Sequence, residues 1–257
     1  KKAMISSLQK KQYIGHARHD GPYMENSLAL YHYLVEELKY DIIEADIVFT
    51  LDGVPVLNHG VDKNFIIKGK ENKINIANHT FETLKTFVGS ATSNYLTTVE
   101  EYIKYGKEKG VIIMFDLTFQ KYTYSHYKTL YALVSKYDML DNVIWGDADI
   151  LRLALLNRNL IVQVGGSWGR KLLFKSFVTS FFCRTTIMSF SYYGGNIESF
   201  QNIVRWGHRL GFIMKVATIN DLDTANRFWK IGADLINTDK LINTNKAYEK
   251  GFDSRCI

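Results

Sequence analysis

Eight times along the chain a short apolar run is followed by an amphipathic stretch, and this alternation constrains the fold more than any other feature. Strands of a parallel sheet are covered on both faces, so they read as continuous apolar runs, and a helix makes the crossover between them. The runs are Tyr13–His16, Ile42–Phe49, Val111–Leu117, Asn142–Trp145, Leu160–Val164, Thr186–Phe190, Phe212–Ala217 and Leu235–Asn237. The stretches between and after them are Asn26–Leu38, Thr97–Lys109, Ser125–Tyr137, Asp147–Leu156, Lys171–Phe182, Asn196–Leu210, Asp221–Lys230 and a closing Leu241–Lys250. Eight such units predict an α/β fold of the (β/α)8 TIM-barrel type, with a doubly wound open sheet as the competing arrangement. Thr97-x-x-Glu100 reads as a capping box, and Gly110 closes the same helix. The second unit is longer than the rest. Leu51-Asp52-Gly53 marks a tight turn into Val54–Asn58, and the polar, irregular Asn64–His79 follows, so a small hairpin excursion is expected after the second strand. At 257 residues and 46% hydrophobic, the chain suits one domain over residues 1–257.

Charge and composition narrow the partners. Lysine and arginine exceed aspartate and glutamate by 32 to 26, a formal charge of +6, which favours anionic ligands. The basic residues form no block and no aromatic-and-basic motif, so nucleic acid is not an expected partner. No apolar stretch reaches the roughly 18 residues that span a bilayer, so stable membrane insertion is not expected either. Lys1–Gln12 is polar and lacks an apolar signal core. Cys183 and Cys256 stand far apart, as free thiols do in a reducing compartment, and a cytoplasmic location is the expectation. The pattern sets no oligomeric state.

Ile43-Glu44-Ala45-Asp46-Ile47 is the segment richest in chemistry. Residues two apart on a strand face the same side, so Glu44 and Asp46 project together. Two unit charges about 4 Å apart repel by roughly 4 kcal/mol at a surface-like dielectric. A divalent cation with oxygen ligands removes that cost; a solvated or lysine-paired patch is the plainer alternative. Asp116 ends the apolar strand Val111-Ile112-Ile113-Met114-Phe115, at the carboxyl end where barrels carry their reactive groups. If that strand lies beside Ile42–Phe49, Asp116 completes a set of three carboxylates. His16 and His59 also follow strands, and imidazole moves protons near neutral pH. His19, His79, His126 and His208 are expected on surfaces or loops. Gly165-Gly166 and Gly194-Gly195 are chiefly turns, and aromatics after strands, such as Trp145, Trp168 and Tyr192-Tyr193, are candidates for a pocket wall.

These segments together resemble the glycerophosphodiester phosphodiesterase family. The likeness runs through Ile14-Gly15-His16 and Glu25-Asn26-Ser27-Leu28, and is strongest from Glu44 through Thr50-Leu51-Asp52-Gly53-Val54-Pro55-Val56 to His59. It continues in Ala217-Thr218-Ile219-Asn220 and Gly232–Asp239. The resemblance implies a (β/α)8 barrel, one divalent cation (Ca2+ or Mg2+) on Glu44, Asp46 and Asp116, and acid–base work by His16 and His59. It also implies as substrate a small-molecule or polymer-linked glycerophosphodiester. The chain departs from the family pattern at several positions. Ala17 stands where the family has an arginine, with Arg18 one place later. Asp116-Leu117-Thr118 replaces a Glu-x-Lys pattern, which leaves Lys121 on the following loop as the substitute. Gly60 follows His59 in place of an aspartate, with Asp62 nearby. Ala217 replaces an aromatic, and Lys215 shares its strand face, a position from which a cation can enter the barrel.

The expected reaction is in-line cleavage of the diester to glycerol phosphate and an alcohol, with one histidine as base and the other as acid, and with Arg18 and Lys121 on the phosphate. Two other readings fit the same chain: a phospholipase-like enzyme acting on lipid headgroups, and a non-catalytic barrel that binds a phosphorylated ligand.

Overall fold

In the computed structural model, residues 8–9, 11–88, 96–166, 170–183 and 185–241 are described. The parallel strands are β1 (Gln12–Gly15), β2 (Ile42–Phe49), β6 (Ile112–Asp116), β7 (Val143–Gly146), β8 (Ile161–Gly166), β9 (Thr185–Ser191), β10 (Ile213–Ala217) and β11 (Leu235–Thr238). Each pairs with the next, and β1 pairs with both β2 and β11, so the sheet closes on itself. The fold is the (β/α)8 barrel, not the open sheet. Helices α1 (Leu28–His32), α3 (Val99–Lys109), α4 (Tyr124–Lys136), α5 (Ile150–Leu156), α6 (Arg170–Phe182), α7 (Gln201–Arg209) and α8 (Leu222–Ile231) pack around it. The closing helix expected over Leu241–Lys250 falls largely outside the described residues.

Side-chain alternation along the strands builds two interior layers. Ile14, Ile42, Ile112, Ile144, Ile161, Ile187, Ile213 and Leu235, one from each strand, form a buried aliphatic cluster with Leu8 and Met114. Two residues further on, the same face of six of those segments carries His16, Glu44, Gln163, Ser189, Lys215 and Asn237. The interior thus changes from hydrocarbon to polar groups within one strand repeat. Residues of opposite parity, such as Ile43, Ala45, Ile113, Phe115 and Trp145, face the helices and belong to the main hydrophobic core. Trp145 is therefore no pocket wall. Its ring is fully buried and packs edge-on against Phe115 with centroids 5.4 Å apart.

Several local elements differ from expectation. The capping box of α3 is Thr98 with Glu101, one residue later than the Thr97 pair, because Thr98 takes the extended N-cap conformation. Gly110 ends that helix in the left-handed region, as its position after the last periodic residue implies. The first helix is short and passes into a π-helical turn over Tyr33–Glu37. The excursion after β2 is more regular than its polar sequence suggests. β3 (Pro55–Leu57) runs antiparallel to β2, and β4 (Asp62–Ile67) with β5 (Lys70–Asn75) makes a separate two-stranded hairpin. An unanticipated helix, α2 (Phe81–Val88), follows. Val48, Val56, Phe65, Ile76, Leu84 and Leu96 give this region a small core of its own.

Helix α3 lies close to β6 because Gly106 has no side chain. A Cβ there would stand 2.6 Å from the Ile113 Cγ2 methyl, which a β-branched residue in a packed core cannot withdraw. Gly106→Ala is expected to destabilise the fold by about 1–3 kcal/mol through overpacking. Thermal unfolding would register this as a drop of several degrees, while Gly53→Ala, whose Cβ meets nothing within 4 Å, tests only its left-handed φ of 81°.

Candidate active site

The carboxyl ends of β2 and β6 bring three acids together. The strands pair in register with Asp46 opposite Asp116, and Glu44 lies two residues before Asp46 on the same inward face. One oxygen from each of Glu44, Asp46 and Asp116 lies within 4.8 Å of the others. Glu44 and Asp46 are almost completely buried. Burial pushes the Glu44 carboxyl up to about 7, with neighbouring Asp46 and Asp116 adding to the rise and His16 opposing it. Burial likewise raises Asp116 to about 6 against a hydrogen bond from Thr118.

The surroundings fix these acids without neutralising them. Glu44 Oε2 accepts the Ala17 backbone N–H at 2.9 Å. Asp46 Oδ2 accepts from Asn26 Nδ2 at 2.8 Å, and the Asp46 N–H donates back to Asn26 Oδ1 at 3.0 Å. Asn26 holds a left-handed φ of 55°, which asparagine tolerates better than most residues. Its carbonyl is held by the Thr97 hydroxyl. Asp116 Oδ1, however, is a buried acceptor with no hydrogen-bond partner. An unsatisfied carboxylate oxygen inside a protein is costly, and a cation beside it removes the cost. The donor set is all oxygen, which suits a hard divalent ion. The residues present fit such a group.

The two histidines stand on either side of the acids. His16 follows β1, its ring between Glu44 Oε2 at 3.5 Å from Nε2 and Asp239 Oδ1 at 2.5 Å from Nδ1. Asp239 follows β11 and is itself anchored by Asn220, whose Nδ2 donates to Oδ2 at 2.9 Å. Burial works against the imidazolium, but Glu44, Asp239 and Asp46 together overcome it and raise His16 to about 9. His59 sits on the loop between β3 and β4, which Asn58 braces by donating to the Gly60 and Asp62 carbonyls. Its Nδ1 is 3.3 Å from Asp46 Oδ2, and that hydrogen bond is the main cause of its raised pKa. Its Nε2 lies 3.4 Å from Arg18 Nη1, and its ring packs edge-on against Phe119. Arg18 is half exposed at the rim and pairs with Glu25 at 3.3 Å.

A cavity of about 360 Å³ opens beside this cluster, lined by His16, Glu44, Asp116, Gln163, Lys215 and their neighbours. The buried lysine in it is Lys215, not Lys121, which is exposed and does not line the cavity. Lys215 Nζ donates to Gln163 Oε1 at 2.7 Å. Gln163 Nε2 donates in turn to Asp147 Oδ2 at 3.2 Å, and Asp147 Oδ1 accepts the Gly165 N–H at 2.6 Å. Burial lowers the lysine ammonium's pKa, while Glu44, Asp147 and Asp116 oppose that shift. A Cβ at Gly165 would lie 2.5 Å from Asp147 Oδ1, so this glycine makes room for the carboxylate.

Gln163, Asp147, Ser189, Asn237 and Asp239 were not singled out from the sequence. Counting two residues on from the inward isoleucine or leucine of β8, β9 and β11 finds Gln163, Ser189 and Asn237, and Asp147 directly follows β7, the strand-end position that also marks Asp116. Among the other histidines the unexpected feature is burial of one loop residue. His19 is buried near Tyr40, and burial lowers it to about 4. His208 pairs with Asp234, His126 completes the capping box of α4, and His79 bonds the Asn75 carbonyl. Asp62 pairs with Lys73 and Asn75 in the hairpin, away from the acids. Gly194 and Gly195 take positive φ with open space around them, and Trp168 lies outside the described residues.

Residues 16–242 match the model of the glycerophosphoryl diester phosphodiesterase family. No curated protein sequence matches the chain. Similar solved structures include a phosphodiesterase from Oleispira antarctica in complex with the product sn-glycerol-3-phosphate, at 16% identity, TM-score 0.74, covering 96% of this chain and 99% of that one. A glycerophosphodiester phosphodiesterase from Parabacteroides distasonis shares 18% identity with TM-score 0.68, covering 96% and 99%. One from Thermotoga maritima shares 19% identity with TM-score 0.68, covering 90% and 95%.

The raised carboxyls make a signed prediction. A group whose folded pKa is raised above its unfolded value loses its contribution to stability as pH rises through the folded value. Glu44 and Asp116 therefore cost the cation-free protein stability, a loss that builds up from about pH 4 and is complete above about pH 7, and a divalent ion relieves this only once they ionise. The rise in thermal midpoint on adding Ca2+ is expected to be small at pH 5.5 and to grow to a plateau above pH 7.5. A Ca2+ effect independent of pH would place the ion elsewhere.

Proposed function

This chain belongs to the glycerophosphoryl diester phosphodiesterase family, and from that premise we propose that it hydrolyses a glycerophosphodiester to glycerol phosphate and an alcohol, with His16 and His59 moving the protons. The observation that carries the reading is the convergence of Glu44, Asp46 and Asp116 between two imidazoles at the barrel mouth. A divalent cation held by these three acids would supply Lewis acidity toward a phosphate oxygen. The oxygen-only donor set suits Ca2+ and Mg2+ alike.

The chain's own residues supply the rest. His16, fixed by Asp239 on one ring nitrogen, is favoured as the imidazolium and is suited to protonate the leaving alkoxide. His59, with Nδ1 toward Asp46 and Nε2 beside the rim residue Arg18, is suited to take the proton of the attacking hydroxyl or water once Arg18 turns to the phosphate. Three carboxylates against one divalent ion leave the site near −1, which would repel a diester anion. Cations must therefore face the phosphate. Lys215 within the cavity and Arg18 at its rim fill that need, and Lys215 occupies the role assigned to Lys121 by position alone. Ala217, small where the family pattern is aromatic, lines the same cavity and leaves room for a wider leaving group.

His16→Ala and His59→Ala are each expected to lower kcat by about 10²–10⁴-fold on glycerophosphodiesters and on bis(p-nitrophenyl) phosphate. Full turnover in either variant, or turnover of the parent undiminished by chelator, would remove that element of the mechanism. Absence of turnover on any diester tested would leave the phosphoryl-ligand-binding barrel. Lys215→Met, close in volume and without the charge, is expected to reduce kcat/KM by roughly 10–100-fold, the worth of a charge-assisted hydrogen bond, with unchanged far-UV circular dichroism. Asp239→Asn should move the alkaline limb of the pH–rate profile to lower pH, because the acid form of His16 loses its anionic partner. An unmoved limb would assign the acid role to another group.

A further inference from the structure

On the outside of the barrel, helix α6 is built inside out. Its buried positions include Ser176 and Thr179, while Phe174 is 69% exposed and Phe181 62% exposed. Phe177 and Val178 are exposed between them, at the i, i+3, i+4, i+7 spacing of one helix face. The neighbouring α5 extends the same surface with Leu151 at 60% and Leu155 at 76% exposure. A groove between the two helices is lined by Ile150, Leu151, Phe174, Val178 and Phe182, with Lys175 as its one charged residue. Aliphatic and aromatic groups gathered at this density on a soluble surface mark a contact face.

The charge pattern selects what the face meets. Between Asp149 and Glu198 the sequence contains no acidic residue and six cations: Arg152, Arg158, Arg170, Lys171, Lys175 and Arg184. These six equal the whole chain's formal charge of +6, so the remainder of the molecule is balanced and the excess is confined to this segment. An apolar stripe with the exposed Arg158, Lys171 and Lys175 near it, in a segment without acids, is complementary to an anionic lipid surface, where aromatic rings enter the acyl boundary and cationic groups meet phosphates. A second copy docked through the same face would set these cations against their own counterparts. Among the described residues no helix is long and apolar enough to cross a membrane, so the contact is peripheral.

We propose that the α5–α6 face docks the protein reversibly on an anionic bilayer. The face adjoins the catalytic mouth: Lys175 lines the groove and its Nζ donates at 3.3 Å to the carbonyl of Gly165, a residue of the active-site cavity. Docking there brings the cavity toward the lipid surface. The proposal stands on the exterior of the barrel and is independent of the catalytic reading.

Co-sedimentation with vesicles tests it, comparing phosphatidylcholine alone with mixed phosphatidylcholine and phosphatidylglycerol. The full chain is expected to bind the mixed vesicles, bind phosphatidylcholine weakly, and release as salt rises. Phe174→Ser with Phe177→Ser and Phe181→Ser should abolish binding. Lys171→Glu with Lys175→Glu should weaken it by more than about fivefold per cation, since each charge is reversed rather than removed. Circular dichroism and thermal midpoint confirm that both variants fold. Failure of the parent chain to bind anionic vesicles overturns the proposal, as does binding that persists in both variants. Self-association that the phenylalanine variant abolishes, without vesicle binding, also overturns it and assigns the face to a copy of the chain. None of these outcomes bears on diester hydrolysis, which is measured separately on a soluble substrate.

Discussion

Three carboxylates crowd into the polar end of a barrel whose other interior layer is hydrocarbon, and the rest of the site is arranged around that repulsion. At about 4 Å and an effective dielectric near 20, each pair of like charges costs roughly 4 kcal/mol. The protein meets part of this with hydrogen bonds: Ala17 N–H on Glu44, and Asn26 on Asp46. It meets another part with proton uptake, seen in the raised Glu44 and Asp116 carboxyls. Asp116 Oδ1 receives no hydrogen bond. A divalent ion answers all three conditions at once.

Much of this arrangement can be read from sequence because strands report their faces by parity. Ile42–Phe49 forms over the residues its apolar run predicts, and Glu44 with Asp46 points inward as the two-residue repeat requires. The position of Asp116 needed one further fact, the in-register pairing of β2 with β6, which no local pattern specifies. Parity also explains the misassignments. Position near a strand end makes Trp145 a candidate for the pocket wall, although its face is that of Phe115 and the helices. Lys215 lies in a strand buried on both faces, so its direction becomes legible only once Ile213 is known to face inward. The excursion hid its regularity for a different reason. Its core takes only a residue or so from each of several segments, such as Phe65, Ile76 and Leu84, so no single segment shows a period. Asp147 turns toward the cavity through a left-handed φ of 50°, which nothing in its neighbourhood announces.

Within this barrel the cavity departs from the family pattern in the cation that lines it. The lysine lining it, Lys215, rises from the floor of the barrel and donates to Gln163, which Asp147 holds in turn. A lysine held this way is more fixed than one on a loop, and the alanine beside it widens the opening. The proposed docking face on α5 and α6 would hold the barrel at an anionic surface, without altering the chemistry inside it.

The most direct measurement is anomalous diffraction from a crystal equilibrated with Mn2+, a scatterer that takes the same oxygen ligands as Mg2+. The account predicts one strong peak within bonding distance of Glu44, Asp46 and Asp116, at the mouth between His16 and His59. A peak elsewhere in the barrel, with these three acids unligated, would contradict it.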